Sequence, residues 1–271
     1  MLWSRRCKIS QTPLTALGVE GFEKNTPSVS QEPSLWEEAL ILAGEAAQSF
    51  DAGGPRVAAA MLFHFDLYAR PAALTTLLPE HVTKPPSRLV GSGDGRHLVT
   101  FFPSSEIDIH QGLVRTAPLL ASSKTDTQDD TVALGLGDRF WLNDIMAALL
   151  ASSKKGEPLF GVEYDAYKTY VGLCCGRTGT RKLRPHQFRH GGASLDMANG
   201  VGAAMVKARG RWKSDSTLHR FSKVGRYFRL CAMLPPASVE HARRAQVFLS
   251  KHLAANIRRH AVQKFPSANS R

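Results

Sequence analysis

A histidine and an arginine three residues apart, His186 and Arg189, are the residues of this chain whose types and spacing best suit chemistry. Positions i and i+3 of a helix lie on one face, so the imidazole and the guanidinium would converge on one small target. A guanidinium donates paired, charge-assisted hydrogen bonds to phosphate oxygens. The pair therefore predicts a site that binds a phosphate group and suits phosphoryl transfer.

The residues around this pair predict the helix that carries it. Pro185 suits the first turn of a helix because its missing N–H would have no partner there, and Gly200 suits the left-handed stop. Periodicity and turn residues predict further helices at 35–43, 55–70, 141–150, 164–175, 201–209 and 215–227. Short strands are predicted at 88–90, 97–102 and 131–134. This order of helices, a small antiparallel sheet and more helices predicts a mainly helical α+β fold.

Composition divides the chain into three segments. Residues 1–34 are polar and interrupted by prolines, so we expect a disordered leader. Residues 35–230 are expected to form the folded domain. Residues 231–271 are expected to form a basic helical tail, because apolar and basic residues alternate there at helical spacing.

Positive charge is concentrated in the second half of the chain. The net charge is +12, yet residues 1–176 hold 15 Lys and Arg against 20 Asp and Glu. Residues 177–229 hold 13 against 2, and residues 230–271 hold 7 against 1. A polyanion-binding protein is expected to concentrate charge in this way, since each neutralised phosphate releases condensed counterions. The alternative is a solvated basic face without a partner.

Cysteine usage and hydropathy narrow the class of protein further. The four cysteines show no CxxC spacing, and adjacent Cys174 and Cys175 cannot easily form a strain-free bridge. We therefore expect a reduced, intracellular compartment, and the nucleus if the source is eukaryotic. No apolar run approaches the roughly 18 residues of a membrane span, so no membrane partner is expected. Nothing in the sequence calls for a cofactor or a metal ion.

The stretch Arg184-Pro-His-Gln-Phe-Arg-His-Gly-Gly-Ala-Ser, followed by Arg-Gly-Arg-Trp-Lys-Ser, resembles the catalytic domain of tyrosine recombinases, the phage-integrase family. The resemblance implies a tyrosine-recombinase-like catalytic domain, of mobile-element origin, whose partner is double-stranded DNA. In that family a tyrosine stands at the position of Phe221. Phenylalanine has no oxygen to attack phosphorus, so the chain resembles a recombinase that has lost its nucleophile.

The resemblance also implies roles for two upstream residues. Arg70, in the phrase Leu67-Tyr-Ala-Arg-Pro, matches the first phosphate-binding arginine, although an arginine at a helix end is an alternative interpretation. Lys124 matches the lysine that protonates the leaving 5′-oxygen, the alternative being a lysine in a solvated turn. Three residues after Arg70 the family often has a carboxylate, and this chain has Ala73.

The main motif supplies the remaining implied roles. Arg189 would bind the phosphate together with Arg70, and His186 would transfer a proton or donate a hydrogen bond. Trp212 would donate its indole N–H to a phosphate oxygen, or would be a core residue. Further DNA contacts are predicted for Arg184, Lys207, Arg209, Arg211 and Lys213.

Three functions remain open on the sequence. The first is a DNA-binding protein, related to recombination and integration, that cannot cleave DNA. The second is an active recombinase using Tyr227 or another residue, although six residues along a helix carry Tyr227 about 9 Å from Phe221 onto the opposite face. The third is a protein-interaction module that retains the fold. The C-terminal helix would either form a homo-oligomer by docking on a neighbouring subunit or close its own domain.

Overall fold

The computed structural model describes residues 31–49, 53–83, 96–100 and 131–260. Helices predominate in these ranges and accompany one small antiparallel sheet, so the predicted mainly helical α+β class is confirmed. Lys124, the strand predicted at 88–90 and most of the predicted leader lie outside the described residues.

Helices account for most of the described residues. They precede and follow the strands in the sequence. The α-helices are α1 (Trp36–Ser49), α2 (Gly54–Asp66), α3 (Pro71–Thr75), α4 (Leu142–Ala151), α5 (Tyr164–Thr178), α6 (Pro185–Ala198), α7 (Ala203–Arg209), α8 (Asp215–Phe221), α9 (Val224–Met233), α10 (Pro236–Phe248) and α11 (Ala254–Arg259). Short 3₁₀ turns lie at Pro79–His81 and Gly137–Arg139, and a π-helical turn, Leu249–Leu253, joins α10 to α11. As predicted, α6 begins with Pro185 and is followed by Gly200 at φ +82°.

The sheet has three short strands in the order β1 (Val82–Thr83), β2 (Leu98–Thr100) and β3 (Thr131–Ala133). Val99 of the central strand pairs with Val82 on one side and with Val132 on the other. Val99 and Val132 are buried in the main core, so one face of the sheet packs against the helices.

Helix α2 is the central helix of the core. Every residue of α2 except Arg56 is buried, as expected for a helix that is apolar on all sides. Helices α1 and α6 both pack against it. The guanidinium of Arg56 binds the carbonyl oxygens of Ser152 and Leu159, which ties α2 to the segment after α4.

Two adjacent glycines allow α6 to press closely against α2. A Cβ atom on Gly192 would lie 2.0 Å from the carbonyl oxygen of Phe65, and one on Gly191 would lie 2.3 Å from that of Ser34. No side chain fits at either position without moving backbone. The helix that carries His186 and Arg189 is therefore held against the end of α2.

The helix predicted at 215–227 is two helices, which corrects that prediction. Helix α8 ends at Phe221, Ser222 has an extended backbone with ψ 105°, and α9 starts at Val224. The Ser222 hydroxyl donates to the Leu218 carbonyl, and the Lys223 amide donates to Ser194 Oγ at 2.8 Å. Side chains thus take over backbone hydrogen bonds and interrupt the helix.

The C-terminal helices pack on the core of this same chain. The predicted domain boundary at residue 230 falls inside α9, and Ala245 of α10 lies against Gly44 of α1. The inner face of this region is buried in the main core at Ala242, Ala245, Leu249, Leu253 and Ile257. Only the outer face of α10 and α11 is therefore available to a second subunit.

Replacing Gly192 with alanine should destabilise the fold by roughly 1 to 3 kcal/mol, because the new methyl group must displace backbone. Gly172 is the matched control, since it is helical and exposed with open space around its Cα. Gly172→Ala should stabilise by about 0.5 to 1 kcal/mol. Urea unfolding followed by circular dichroism measures both; a Gly192→Ala protein as stable as wild type would contradict this packing.

Candidate functional site

A cleft of about 380 Å³ opens beside the first turns of α6. Most of its lining residues lie in the first turns of helices, whereas Trp212 lies between α7 and α8 and Phe221 ends α8. The full lining is Arg70, Pro71, Ala72, Tyr164, His186, Arg189, Trp212, Thr217 and Phe221. Among them are five residues that the sequence analysis singled out: Arg70, His186, Arg189, Trp212 and Phe221. Residues separated by 151 positions in sequence thus line one site.

Two long helices begin at the cleft. Tyr164 is the first residue of α5 and His186 is the second residue of α6. The first turn of a helix has backbone N–H groups without intrahelical partners and carries the positive end of the helix dipole. Both helices therefore favour negative charge at this end.

Arg189 is a buried cation at the base of the cleft. Its side chain is 2% exposed; Nη1 donates to the Tyr68 carbonyl and Nη2 donates to the Gly210 carbonyl at 2.7 Å. Within the described ranges no carboxylate forms an ion pair with Arg189. Burial, followed by the nearby charges of Arg211 and Arg70, lowers the pKa of the Arg189 guanidinium well below its usual value. An anion that enters the cleft would offset the free-energy cost of burying this positive charge.

Aromatic rings form a stack behind the cleft. The Phe221 ring stacks on His190 with centroids 4.6 Å apart and on Trp212 with centroids 4.9 Å apart. Trp212 stacks in turn on Tyr68 at 6.2 Å. The Arg189 guanidinium lies 5.1 Å from the Trp212 ring and 5.2 Å from the Phe221 ring. The position where the resemblance implies a nucleophile is thus occupied by a packed ring without an oxygen.

Trp212 presents a polar group that the protein does not use. The residue is 5% exposed, and its indole Nε1 is buried without a hydrogen-bond partner among the described residues. Because a buried N–H without an acceptor is costly, an acceptor on a bound molecule would stabilise it. This geometry accommodates the indole donor role that the resemblance implies.

The cleft holds His186 in its neutral form at neutral pH. Burial, then the charges of Arg189, Lys223 and Arg70, lower the pKa of His186 below its usual value. An anion in the cleft would oppose those charges and raise that pKa. An anionic ligand would therefore shift His186 toward its protonated form.

The other predicted DNA-contact residues differ in exposure. Arg184 and Lys213 are exposed, and Arg211 is half-buried with Nη2 3.4 Å from the Tyr68 carbonyl. Lys207 forms an ion pair with Asp215 at 2.8 Å.

Arg209 is not a surface residue, which corrects its prediction as a DNA contact. It is 8% exposed, and it donates to the carboxylate of Asp66 at 2.8 Å and to the Ala133 carbonyl. Arg139 completes a buried cluster, with ion pairs to Asp66 at 2.8 Å and to Asp196 at 2.6 Å. Two arginines and two aspartates balance the charge of this cluster, so it has a structural role.

Tyr227 lies away from the cleft. It is 3% exposed, and its hydroxyl accepts a hydrogen bond from the Trp36 amide at 3.3 Å. Burial, followed by the charge of Glu37, raises the pKa of its hydroxyl. Both features make Tyr227 a poor nucleophile, and it is not among the residues that line the cleft.

Sequence reasoning missed two hydroxyl-bearing residues that line the cleft, Tyr164 and Thr217. It also missed Asp66, although a carboxylate at the end of the apolar run Met-Leu-Phe-His-Phe signals a buried ion pair. Tyr164 and Thr217 carry no comparable signal, because only packing brings the starts of α5 and α8 to α6.

Comparisons with known proteins add no family assignment: the chain matches no protein-family model and no curated protein. Among the described helices, none is long and apolar enough to cross a membrane. The same described residues contain no cluster of three or more His, Cys, Asp and Glu side chains that could hold a metal ion.

Acid should destabilise this site through His190. Burial, then the charges of Lys223 and His186, lower the pKa of His190 from 6.5 to about 3. The folded state thus binds fewer protons than the unfolded state. The contribution of neutral His190 to the free energy of unfolding is therefore complete above pH 6.5 and is lost as the pH falls toward 3. The loss is up to about 1.4 kcal/mol per pH unit.

Urea unfolding at several pH values between neutral and acidic tests this expectation. His190→Phe should make the pH profile shallower than that of wild type, and His64, whose pKa burial also lowers to about 3, should retain part of the dependence. Identical profiles for His190→Phe and wild type would contradict the assignment.

Proposed function

We propose that this protein binds double-stranded DNA through the cleft and that it is a tyrosine-recombinase-like protein unable to cleave the strand. The observation that carries the proposal is the convergence of Arg70, Arg189, His186 and Trp212 on one cleft. These groups supply cations and an N–H donor, and Arg189 and Arg70 lack a carboxylate partner among the described residues. A phosphodiester matches this set in charge and hydrogen-bonding capacity.

The basic surface near the site favours a long polyanion over a small phosphorylated ligand. Exposed cations lie close to the cleft residues in sequence: Arg184, Lys213, Arg220 and Arg226. Cations spread over several helices can neutralise successive phosphates of a polyanion. A single small anion cannot contact all of these cations. Phosphate contacts carry little sequence information, so we expect binding with weak sequence preference.

The loss of cleavage follows from the residues at the nucleophile position. The Phe221 ring lines the cleft beside Arg189, and phenylalanine cannot form a phosphotyrosyl bond. Tyr227 is buried elsewhere with its hydroxyl bonded to the Trp36 amide. An active recombinase is therefore the less favoured alternative.

The proposal places the protein among DNA-binding relatives of mobile-element recombinases, inside the cell and in the nucleus of a eukaryote. A homo-oligomer would use the outer face of α10 and α11, where Val239 and Val247 are exposed apolar residues.

The competing function, a protein-interaction module, predicts no affinity for DNA. An electrophoretic mobility shift with duplex DNA therefore separates this function from the proposed one.

Removing Arg70 should weaken DNA binding. This exposed arginine lines the cleft, and a charge-assisted hydrogen bond to phosphate contributes about 1.5 to 3 kcal/mol. Arg70→Ala should therefore raise the dissociation constant for duplex DNA by about tenfold or more. Fluorescence anisotropy with a labelled duplex measures this change.

Arg177→Ala is the matched control, since it removes an arginine that is 47% exposed on α5 and pairs with Glu45. Its effect should be clearly smaller than that of Arg70→Ala. Equal losses from both variants would mean that general charge, not the cleft, binds DNA.

The wild-type chain should form no covalent adduct with a nicked suicide duplex, because the cleft lacks a nucleophile at residue 221. Phe221→Tyr restores a phenol between His190 and Trp212, and partial adduct formation is the expected gain. Denaturing electrophoresis of labelled DNA detects the adduct. A wild-type adduct that disappears in Tyr227→Phe or in Tyr164→Phe would show that another tyrosine acts and would overturn the inactive assignment.

A further inference from the structure

Tyr68 and Arg211 share an unusual backbone conformation beside the cleft. They are the non-glycine residues with positive φ in the described part of the chain, at 46° and 53°. A bulky aromatic residue rarely adopts this left-handed region, since its Cβ crowds the backbone. Such strain persists only where the surrounding structure enforces it, and it is concentrated at functional sites.

Contacts on several sides hold the Tyr68 side chain in place. Its hydroxyl donates a hydrogen bond to the carboxylate of Asp196, a member of the buried ion-pair cluster. Its ring stacks on Trp212 with an interplanar angle of 9°, and the Arg209 guanidinium lies 5.4 Å from the ring centroid. A Cβ atom on Gly192 would lie 2.7 Å from the ring, so glycine at that position makes room for it.

The strained turn directs the Tyr68 carbonyl toward the cleft arginines. Arg189 Nη1 donates to this oxygen, and Arg211 Nη2 approaches it at 3.4 Å. The second terminal nitrogen of Arg189 binds the Gly210 carbonyl, directly before Arg211 and Trp212. Tyr68 thus contacts Arg189 through its backbone and Trp212 through its ring.

We propose that Tyr68 is the positioning residue that holds Arg189 and Trp212 in the geometry that binds a phosphodiester, anchored by its hydroxyl on Asp196. The inference rests on the proposed function and deepens it by naming what orients the binding groups. The buried ion-pair cluster fixes the ring of Tyr68. The ring and the left-handed backbone then fix the indole and the guanidinium.

Tyr68→Phe tests the anchor, because it removes the hydroxyl and keeps the ring. Tyr167→Phe is the matched control, since Tyr167 is also fully buried and its hydroxyl makes one side-chain hydrogen bond, to His64 Nδ1 at 3.0 Å. Both variants should lose stability in urea. Tyr68→Phe alone should weaken duplex binding, by about tenfold.

A second variant and a second readout test the positioning role independently of DNA binding. Glycine readily accepts a positive φ, so Tyr68→Gly keeps the turn and removes the ring and its anchor. The readout is NMR of the Arg189 side-chain N–H groups in the absence of DNA, assigned with Arg189→Lys. We expect protected Arg189 signals in wild type and in Tyr167→Phe, and faster exchange with shifted resonances in Tyr68→Phe and Tyr68→Gly.

The outcomes distinguish the positioning role of Tyr68 from the proposed function. Wild-type duplex affinity and unchanged Arg189 signals in the Tyr68 variants would overturn the positioning role. Changed Arg189 signals together with an absence of DNA binding by wild type would support the positioning role and overturn the proposed function. Equal loss of affinity in Tyr167→Phe would show a general stability effect and would also overturn the positioning role.

Discussion

The buried guanidinium of Arg189 is the constraint on which the arrangement of the cleft depends. A cation that is 2% exposed needs compensation, yet within the described residues it binds only carbonyl oxygens and two aromatic rings. Carbonyl dipoles and ring faces stabilise a cation less well than a carboxylate does. The fold therefore keeps a positive charge near the surface of an open cleft, where an anion can complete its environment.

Helix packing and the buried ion pairs make that arrangement stable. Gly192 lets α6 approach the end of α2, and this approach brings Arg189 to the carbonyl of Tyr68. Beneath Tyr68, Asp66 and Asp196 are matched by two arginines, so the structural charges cancel. Among the buried arginines of the described residues, Arg189 is the one without a carboxylate partner, and it lines the cleft. The groups that support the fold are thereby separate from those able to bind a ligand.

Sequence patterns predicted the helices around the site better than they predicted the long-range contacts between them. Proline and glycine mark the limits of α6, and the i, i+3 spacing placed His186 and Arg189 on one helix face beside the cleft. Local patterns could not reveal that Arg209 turns inward, because its partner Asp66 lies 143 residues away. Nor could they reveal the break at Ser222, since it depends on Ser194 of another helix.

The salt dependence of duplex DNA binding tests the central claim, that the cleft and its basic surroundings bind phosphates, most directly. If they do, the logarithm of the association constant should fall linearly with the logarithm of salt concentration, with a slope of about −0.9 per phosphate contacted. Arg70→Ala should make that slope shallower by about one unit. A duplex affinity that stays constant between about 50 and about 200 mM salt would contradict the account.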